Sequence, residues 1–167
     1  MPDLQRLNRL PDSQAQREFM KCCGSARWAV GMAGARPFED FGSMVETAET
    51  LWFSLDERDW LEAFAHHPQI GDRRNLAERF PDTGAFSKRE QAGLQSAGSD
   101  ILDALADANR RYLEKNGFIF LVCASGKSAS QMLDMLRTRL KNERSAELKI
   151  AAREQMKIAA LRMEKLS

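Results

Sequence analysis

The sequence predicts an all-α fold: a single-domain bundle of about seven or eight helices over residues 1–167. Three observations carry that expectation. Apolar residues recur at intervals of three and four, the period of a helix face. Capping residues and Pro or Gly stops punctuate the chain at helix-length intervals, with no hairpin signal, internal repeat or low-complexity tract. Finally, 167 residues with 43% hydrophobic and 29% charged side chains are the length and balance of one globular domain.

The elements follow in order. Asp12 and Ser13 are candidate caps of a first helix through Phe19 and Met20. Trp28, Val30 and Met32 lead to Gly34-Ala35-Arg36-Pro37, where Pro37 stops the helix before it. Ser43 opens a stretch with Met44, Val45, Ala48, Leu51 and Trp52 at helical spacing. Ser54-Leu55-Asp56-Glu57 reads as a capping box that starts a helix through Trp60, Leu61 and Phe64, ended at His67-Pro68. Arg73 to Phe86 is polar and loop-like, with a turn at Pro81-Asp82-Thr83-Gly84. Ser87-Lys88-Arg89-Glu90 is a second capping box, for a helix to about Ala97. Gly98-Ser99 is expected to separate it from a helix over Ile101–Leu113, closed by Asn116-Gly117. The run Phe118 to Ala124 is apolar and short, fit for a buried extended segment. Two long helices end the chain, at about Ala129–Glu143 and Ala146–Leu166, the last with a stripe of Leu148, Ala152, Met156, Ala159, Met163 and Leu166.

Charge and composition exclude several functions. Lys plus Arg total 25 against 24 for Asp plus Glu, and a net charge of +1 argues against a nucleic-acid partner. No apolar run is long enough for a membrane span, and the first residues show no secretory h-region. Three cysteines, Cys22, Cys23 and Cys123, suit a reducing cytoplasm, the expected location. The final Lys165-Leu166-Ser167 is not a peroxisomal address, which needs Ser-Lys-Leu in that order.

The loop from His66 to Asp72 holds the chain's two histidines. A His before Pro is held extended at a helix end and can exchange a proton near neutral pH; the plain alternative is a solvated loop. Adjacent histidines point to opposite sides of an extended chain, and no further ligand spacing accompanies them, so no metal is expected. Ser87, Glu90 and Gln91 are either a cap alone or a hydroxyl, a carboxylate and an amide grouped at a helix N-terminus, where free N–H groups suit polar ligands. Gly126-Lys127-Ser128 lacks the earlier glycine of a nucleotide loop, Leu121 standing in its place. Arg162 beside the last stripe is either a snorkelling border residue or a guanidinium for a carboxylate.

Together these residues resemble a known family. His67-Pro68-x-Ile70-Gly71, Ser87-x-x-Glu90-Gln91, Asn109-x-x-Tyr112, Gly117-Phe118-x-Phe120 and Ile158-x-x-x-Arg162 fall in the order and spacing of the decarboxylases of 2-oxo-4-hydroxy-4-carboxy-5-ureidoimidazoline (OHCU) in urate breakdown. Trp28 and Arg36-Pro37-Phe38 also resemble that family's pattern, and the likeness runs from about Leu7 to Leu166. It implies an all-α, cofactor-free enzyme that converts OHCU, its small-molecule substrate, to (S)-allantoin and CO2; a homodimer resembles the family's habit, although the sequence itself does not set the oligomeric state. His67 would be the essential catalytic residue with Glu90 as acid/base companion. Pro68, Ser87, Gln91 and Arg162 would bind substrate, with N–H donors from the backbone of Phe118, Ile119 and Phe120. Cys22 to Arg27 departs from the family's more frequent acidic residue, His and Ser-Pro before Trp28, and His66 is an additional histidine with no assigned role. The same fold acting on another ureido or carboxylated heterocycle, and a helical interaction module without chemistry, are the alternatives. A fused second enzyme is not expected at this length.

Overall fold

Each of the three tryptophans spends its indole N–H on a backbone carbonyl, and those bonds register much of the helical frame. The computed structural model of the chain describes residues 1–68 and 92–167, with side chains from residue 98 onward in the second stretch. Among the described residues there are eight helices and no strand: α1 (Leu4–Arg9), α2 (Asp12–Cys22), α3 (Ala26–Gly34), α4 (Phe41–Ser54), α5 (Glu57–Ala65), α6 (Ala92–Asn116), α7 (Ala129–Arg139) and α8 (Arg144–Met163). The fold is all-α, as the sequence predicts. None of these helices is long and apolar enough to cross a membrane.

The described chain forms two compact units. The first comprises Met1–His67, Leu121–Cys123 and Leu148–Ser167. Within it α3 packs against α2, α4 and α5. Trp28 Nε1 donates to Ala48 O at 3.0 Å, Trp60 Nε1 to Trp52 O at 3.0 Å, and Trp52 Nε1 to Ala152 O at 2.8 Å. These bonds tie α3 to α4, α5 to α4, and α4 to α8. Trp28 is fully buried, edge-on to Phe19 at 5.9 Å, which makes it a core residue. Each such fully buried large side chain contributes roughly 1.5–3 kcal/mol of transfer free energy. Arg36 is buried at 6% side-chain exposure and is fully engaged, donating to Ala33 O, Leu7 O and Leu10 O and pairing with Asp12 at 2.7 Å. It thereby satisfies carbonyls at the C-terminal ends of α1 and α3, where a cation is also favoured by the helix dipole.

The second unit comprises Pro68–Phe120 and Ala124–Glu147. Here α6 packs on α7 around a buried charged cluster. Glu147, fully buried at the start of α8, accepts from Tyr112 Oη at 2.7 Å, Arg139 Nε at 2.7 Å and Asn142 Nδ2 at 2.8 Å. A buried carboxylate persists only when paired and hydrogen-bonded in this way.

Several boundaries differ from the sequence reading, each for a local reason. Asp3 caps a short α1 that the periodicity did not mark. Asp12 is the first residue of α2 rather than its side-chain cap, because its carboxylate is taken by Arg36. Ser43 lies inside α4 as the reciprocal partner of the true cap, Asp40. Ser54 does not open α5. Its hydroxyl donates back to Leu51 O within α4, and Asp56 caps α5 by accepting from the N–H groups of Arg58 and Asp59. Gly98-Ser99 does not break α6, which is continuous from Ala92 to Asn116. A glycine in a helix interior costs only about 1 kcal/mol, and Gly98 is buried where contacts offset that. Gly117, with φ of +76°, does end α6 as expected, its N–H donating to Leu113 O. Residues 118–124 are non-helical and largely buried.

Candidate active site

Helix α5 carries the two histidines to a fixed place. The helix is fastened to the start of α3: Glu62 Oε1 accepts from Ala26 N at 2.6 Å, and Asp59 pairs with Arg27 at 2.9 Å. The helix closes at Ala65 with His66 still in the right-handed region. The N–H of His66 donates to Ala63 O and that of His67 to Phe64 O, so both histidines sit on a hydrogen-bonded turn. The imidazole stem of His66 lies directly over Gly24. A Cβ at Gly24 would overlap Cβ, Cγ and Cδ2 of His66.

His67 is half-buried, and its Nε2 stands 2.7 Å from Oε1 of Gln155 on α8. A carbonyl oxygen only accepts, so His67 Nε2 is the donor. Gln155 is fully buried, and its Nε2 has no hydrogen-bond partner among the described residues. Leaving such a donor unsatisfied costs about 1–3 kcal/mol. The Trp52–Ala152 bond sits one turn earlier on α8 and sets the helix register that presents Gln155 to His67.

Arg162 lies seven residues beyond Gln155, about 10 Å further along nearly the same face of α8. It is exposed, with Nη1 3.5 Å from the carbonyls of Lys21 and Cys22. Those are long contacts, supported by the negative end of α2. The C-terminal end of α2 therefore meets Arg162, and Gly24, in the link to α3, meets His66. This is the same segment in which the sequence departs from the family pattern. Its thiols are not nucleophiles: burial pushes Cys22 and Cys23 up to about 12 each, against the smaller lowering effect of the Arg162 charge.

The other expected site residues fall elsewhere. Pro68 is exposed and belongs, with Phe118, Ile119 and Phe120, to the second unit. Phe118 and Phe120 are buried, with rings edge-on to Tyr112 at 5.9 and 5.5 Å, and the Arg139 guanidinium lies 4.7 Å from the centre of Phe120. Their side chains are core, and they hold the backbone of the half-buried Ile119 in place. Ser87, Glu90 and Gln91 lie outside the described residues, as do Ile70 and Gly71. Among the described residues, no group of three His, Cys, Asp or Glu side chains is placed to hold a metal ion.

Gln155 was not among the residues singled out from sequence, although a signal existed. It stands three residues after Ala152 and four before Ala159, a polar residue within the apolar stripe of α8. A buried amide at such a position needs a partner, and here the partner is His67.

Comparison with known proteins places the chain in a family. A family model for OHCU decarboxylase matches residues 8–164. A uric acid degradation bifunctional protein of Arabidopsis thaliana is 38% identical over 150 residues, covering 89% of this chain and 46% of that protein. The chain thus spans less than half of that bifunctional relative. The 2-oxo-4-hydroxy-4-carboxy-5-ureidoimidazoline decarboxylase of Halalkalicoccus jeotgali is 27% identical, covering 79% of this chain and 72% of the relative. A solved OHCU decarboxylase, crystallised in the presence of (S)-allantoin, superposes with a TM-score of 0.70 at 38% identity, covering 89% of this chain and 95% of that one. The chain belongs to the OHCU decarboxylase family.

Proposed function

We propose that residues 1–167 act as one OHCU decarboxylase domain, releasing CO2 from OHCU and forming (S)-allantoin in urate degradation without a cofactor. The observation that carries this reading is the span of the family match, 8–164, which takes in His67 and the helix that grips its ring. The substrate has a carboxylate and a hydroxyl on one ring carbon, beside the carbon that bears the ureido group. When the bond to the carboxylate breaks, its electron pair enters the conjugated C=N and C=O system of the ring, so the substrate is its own electron sink. The hydroxyl loses its proton as its carbon becomes a carbonyl, and the ring C=N nitrogen and the ureido-bearing carbon each gain one, the additional proton coming from solvent to balance the lost carboxylate. The protein must turn the carboxylate out of the ring plane, stabilise the enolate-like charge and protonate one face only.

In this proposal His67 hydrogen-bonds the hydroxyl or the adjacent oxygen and steers the proton. Glu90 holds the ureido N–H groups or relays the proton to carbon. Arg162 and Gln91 fix the anionic and carbonyl ends, and Ser87, Pro68 and the backbone N–H groups of Phe118, Ile119 and Phe120 are the further substrate-binding groups. Arg162 suits that task because it is exposed and only loosely held by two carbonyls, leaving its planar fork able to grip a carboxylate. A cytoplasmic location, which a chain with three cysteines suits, and a dimer like the family's habit complete the proposal.

The test generates the substrate in the cuvette from urate with urate oxidase and hydroxyisourate hydrolase, and follows circular dichroism. The expected result is a rapid signal for the S enantiomer that disappears in a folded His67→Ala variant. Decay at the uncatalysed rate would move the substrate to another ureido heterocycle. Near-normal turnover by His67→Ala would remove His67 from the mechanism.

A further inference from the structure

The face of α8 that turns inward in the first unit is built from Leu148, Ala152, Ala159 and Met163, all buried, and Gln155 interrupts it. Packing alone gives no reason for an amide there. Its side chain is fully buried, and its nitrogen has no hydrogen-bond partner among the described residues. A leucine or methionine of similar size would leave no polar atom behind. What the amide does have is one short bond, from its Oε1 to His67 Nε2 at 2.7 Å.

We propose that Gln155 is a positioning residue that sets which nitrogen of His67 carries the proton, fixing the Nε2–H tautomer and holding the ring in one orientation for proton exchange with substrate; the second half rests on the decarboxylase reading above. A carbonyl oxygen cannot donate, so the neutral ring bonded to it must be the Nε2–H tautomer. The same bond persists in the imidazolium, so the ring can change protonation without breaking its attachment to α8. Orientation is fixed from both ends. The backbone N–H of His67 is held by Phe64 O, and the far nitrogen is held by α8, whose register the Trp52–Ala152 bond sets one turn away. A histidine tethered at one end only would swing about its side-chain bonds, and a proton delivered to one face of a ring requires that it does not.

The chain holds only two histidines, which makes the claim directly readable. The intact protein is labelled with 15N-histidine, and the ring nitrogens are correlated with their carbon-bound protons by NMR, with His66→Asn assigning the two rings. The wild-type chain is expected to show His67 as the Nε2–H tautomer, a measurement that needs no variant at the buried site. Gln155→Leu is expected to release the ring into a tautomer mixture and lower kcat by about tenfold or more with little change in KM. Gln155→Glu keeps an oxygen acceptor and is expected to restore the Nε2–H tautomer and part of kcat, a rescue that a purely structural role would not give. An Nδ1–H ring in the wild-type chain, or an unchanged Nε2–H ring in Gln155→Leu, overturns the proposal. A wild-type chain with the Nε2–H ring and no turnover of OHCU overturns the decarboxylase reading while upholding the role of Gln155 in setting the tautomer.

Discussion

Gly24 shows how a residue with no side chain can place one that has chemistry. The Cβ and ring of His66 occupy the volume that a Cβ at Gly24 would fill, so the end of α5 sits at its observed depth only because position 24 is glycine. The atoms in the way include His66 Cβ, which cannot rotate aside, so the backbone must yield. Gly24→Ala is expected to destabilise the fold by about 1–3 kcal/mol, as overpacking does. The cost should shrink in a His66→Ala background, where the ring is gone and the Cβ remains. Denaturant midpoints of the four proteins measure this as a double-mutant cycle, and simple additivity would show that the two residues do not meet. At this scale the site was half legible. His67 could be singled out because its signal, a histidine before proline at a helix end, is local in the sequence. Gln155 was not, because its partner is 88 residues away in sequence and a period of three and four does not say which helix it faces. Likewise the sequence marks Phe118 and Phe120 as part of a short apolar run, but only packing reveals that both rings are held on Tyr112.

Helix ends were legible as regions and not as residues, for one recurring reason. Several Ser, Thr, Asp or Asn near a helix start compete for the same N–H groups, and the winner depends on where the preceding turn leaves the chain. Around α5, Ser54 with Glu57 has the sequence form of a capping box, yet Asp56 takes the cap because Ser54 still belongs to α4. Asp56→Ala is therefore expected to cost about 1 kcal/mol, from the loss of its bonds to the N–H groups of Arg58 and Asp59. Ser54→Ala should fall within about 0.5 kcal/mol of wild type, since its hydroxyl only returns to a carbonyl of its own helix. Thermal or urea unfolding of the two variants decides between the caps, and the reverse order would restore the sequence reading. The long α6 teaches the complementary lesson. Gly98-Ser99 looks like a break because local propensity is all the sequence displays, whereas a buried glycine can sit in a continuous helix once the surrounding contacts outweigh a penalty of about 1 kcal/mol.

At the level of the whole molecule, all-α architecture was predictable because periodicity, caps and stops agree along the chain, whereas the balance of buried polar groups was not. One consequence of that balance appears in alkali. Cys22 and Cys23, ordinarily near 9.0, are pushed up to about 12 by burial. Below pH 9 both thiols are protonated whether the chain is folded or not, and their contribution to stability is fully present. Between pH 9 and 12 the unfolded chain loses protons that the folded chain keeps, which draws the equilibrium toward unfolding by about 1.4 kcal/mol per pH unit for each thiol. Tyr112, raised above its ordinary 10.0 chiefly by burial, adds a slope of the same sign at the upper end of that range. Against a typical total stability of about 5–15 kcal/mol, a steep alkaline collapse follows. Urea midpoints taken from neutral pH to about pH 11 should fall more steeply for the wild-type chain than for Cys22→Ala/Cys23→Ala, which keeps only the tyrosine and surface contributions. Parallel curves would mean that the thiols ionise alike in the folded and unfolded chain, and that the link between α2 and α3 opens to solvent. Because Cys22 and Gly24 also meet Arg162 and the turn carrying His67, an enzyme assay on the same pH series is expected, on the proposed decarboxylase reading, to lose activity in step with the fold.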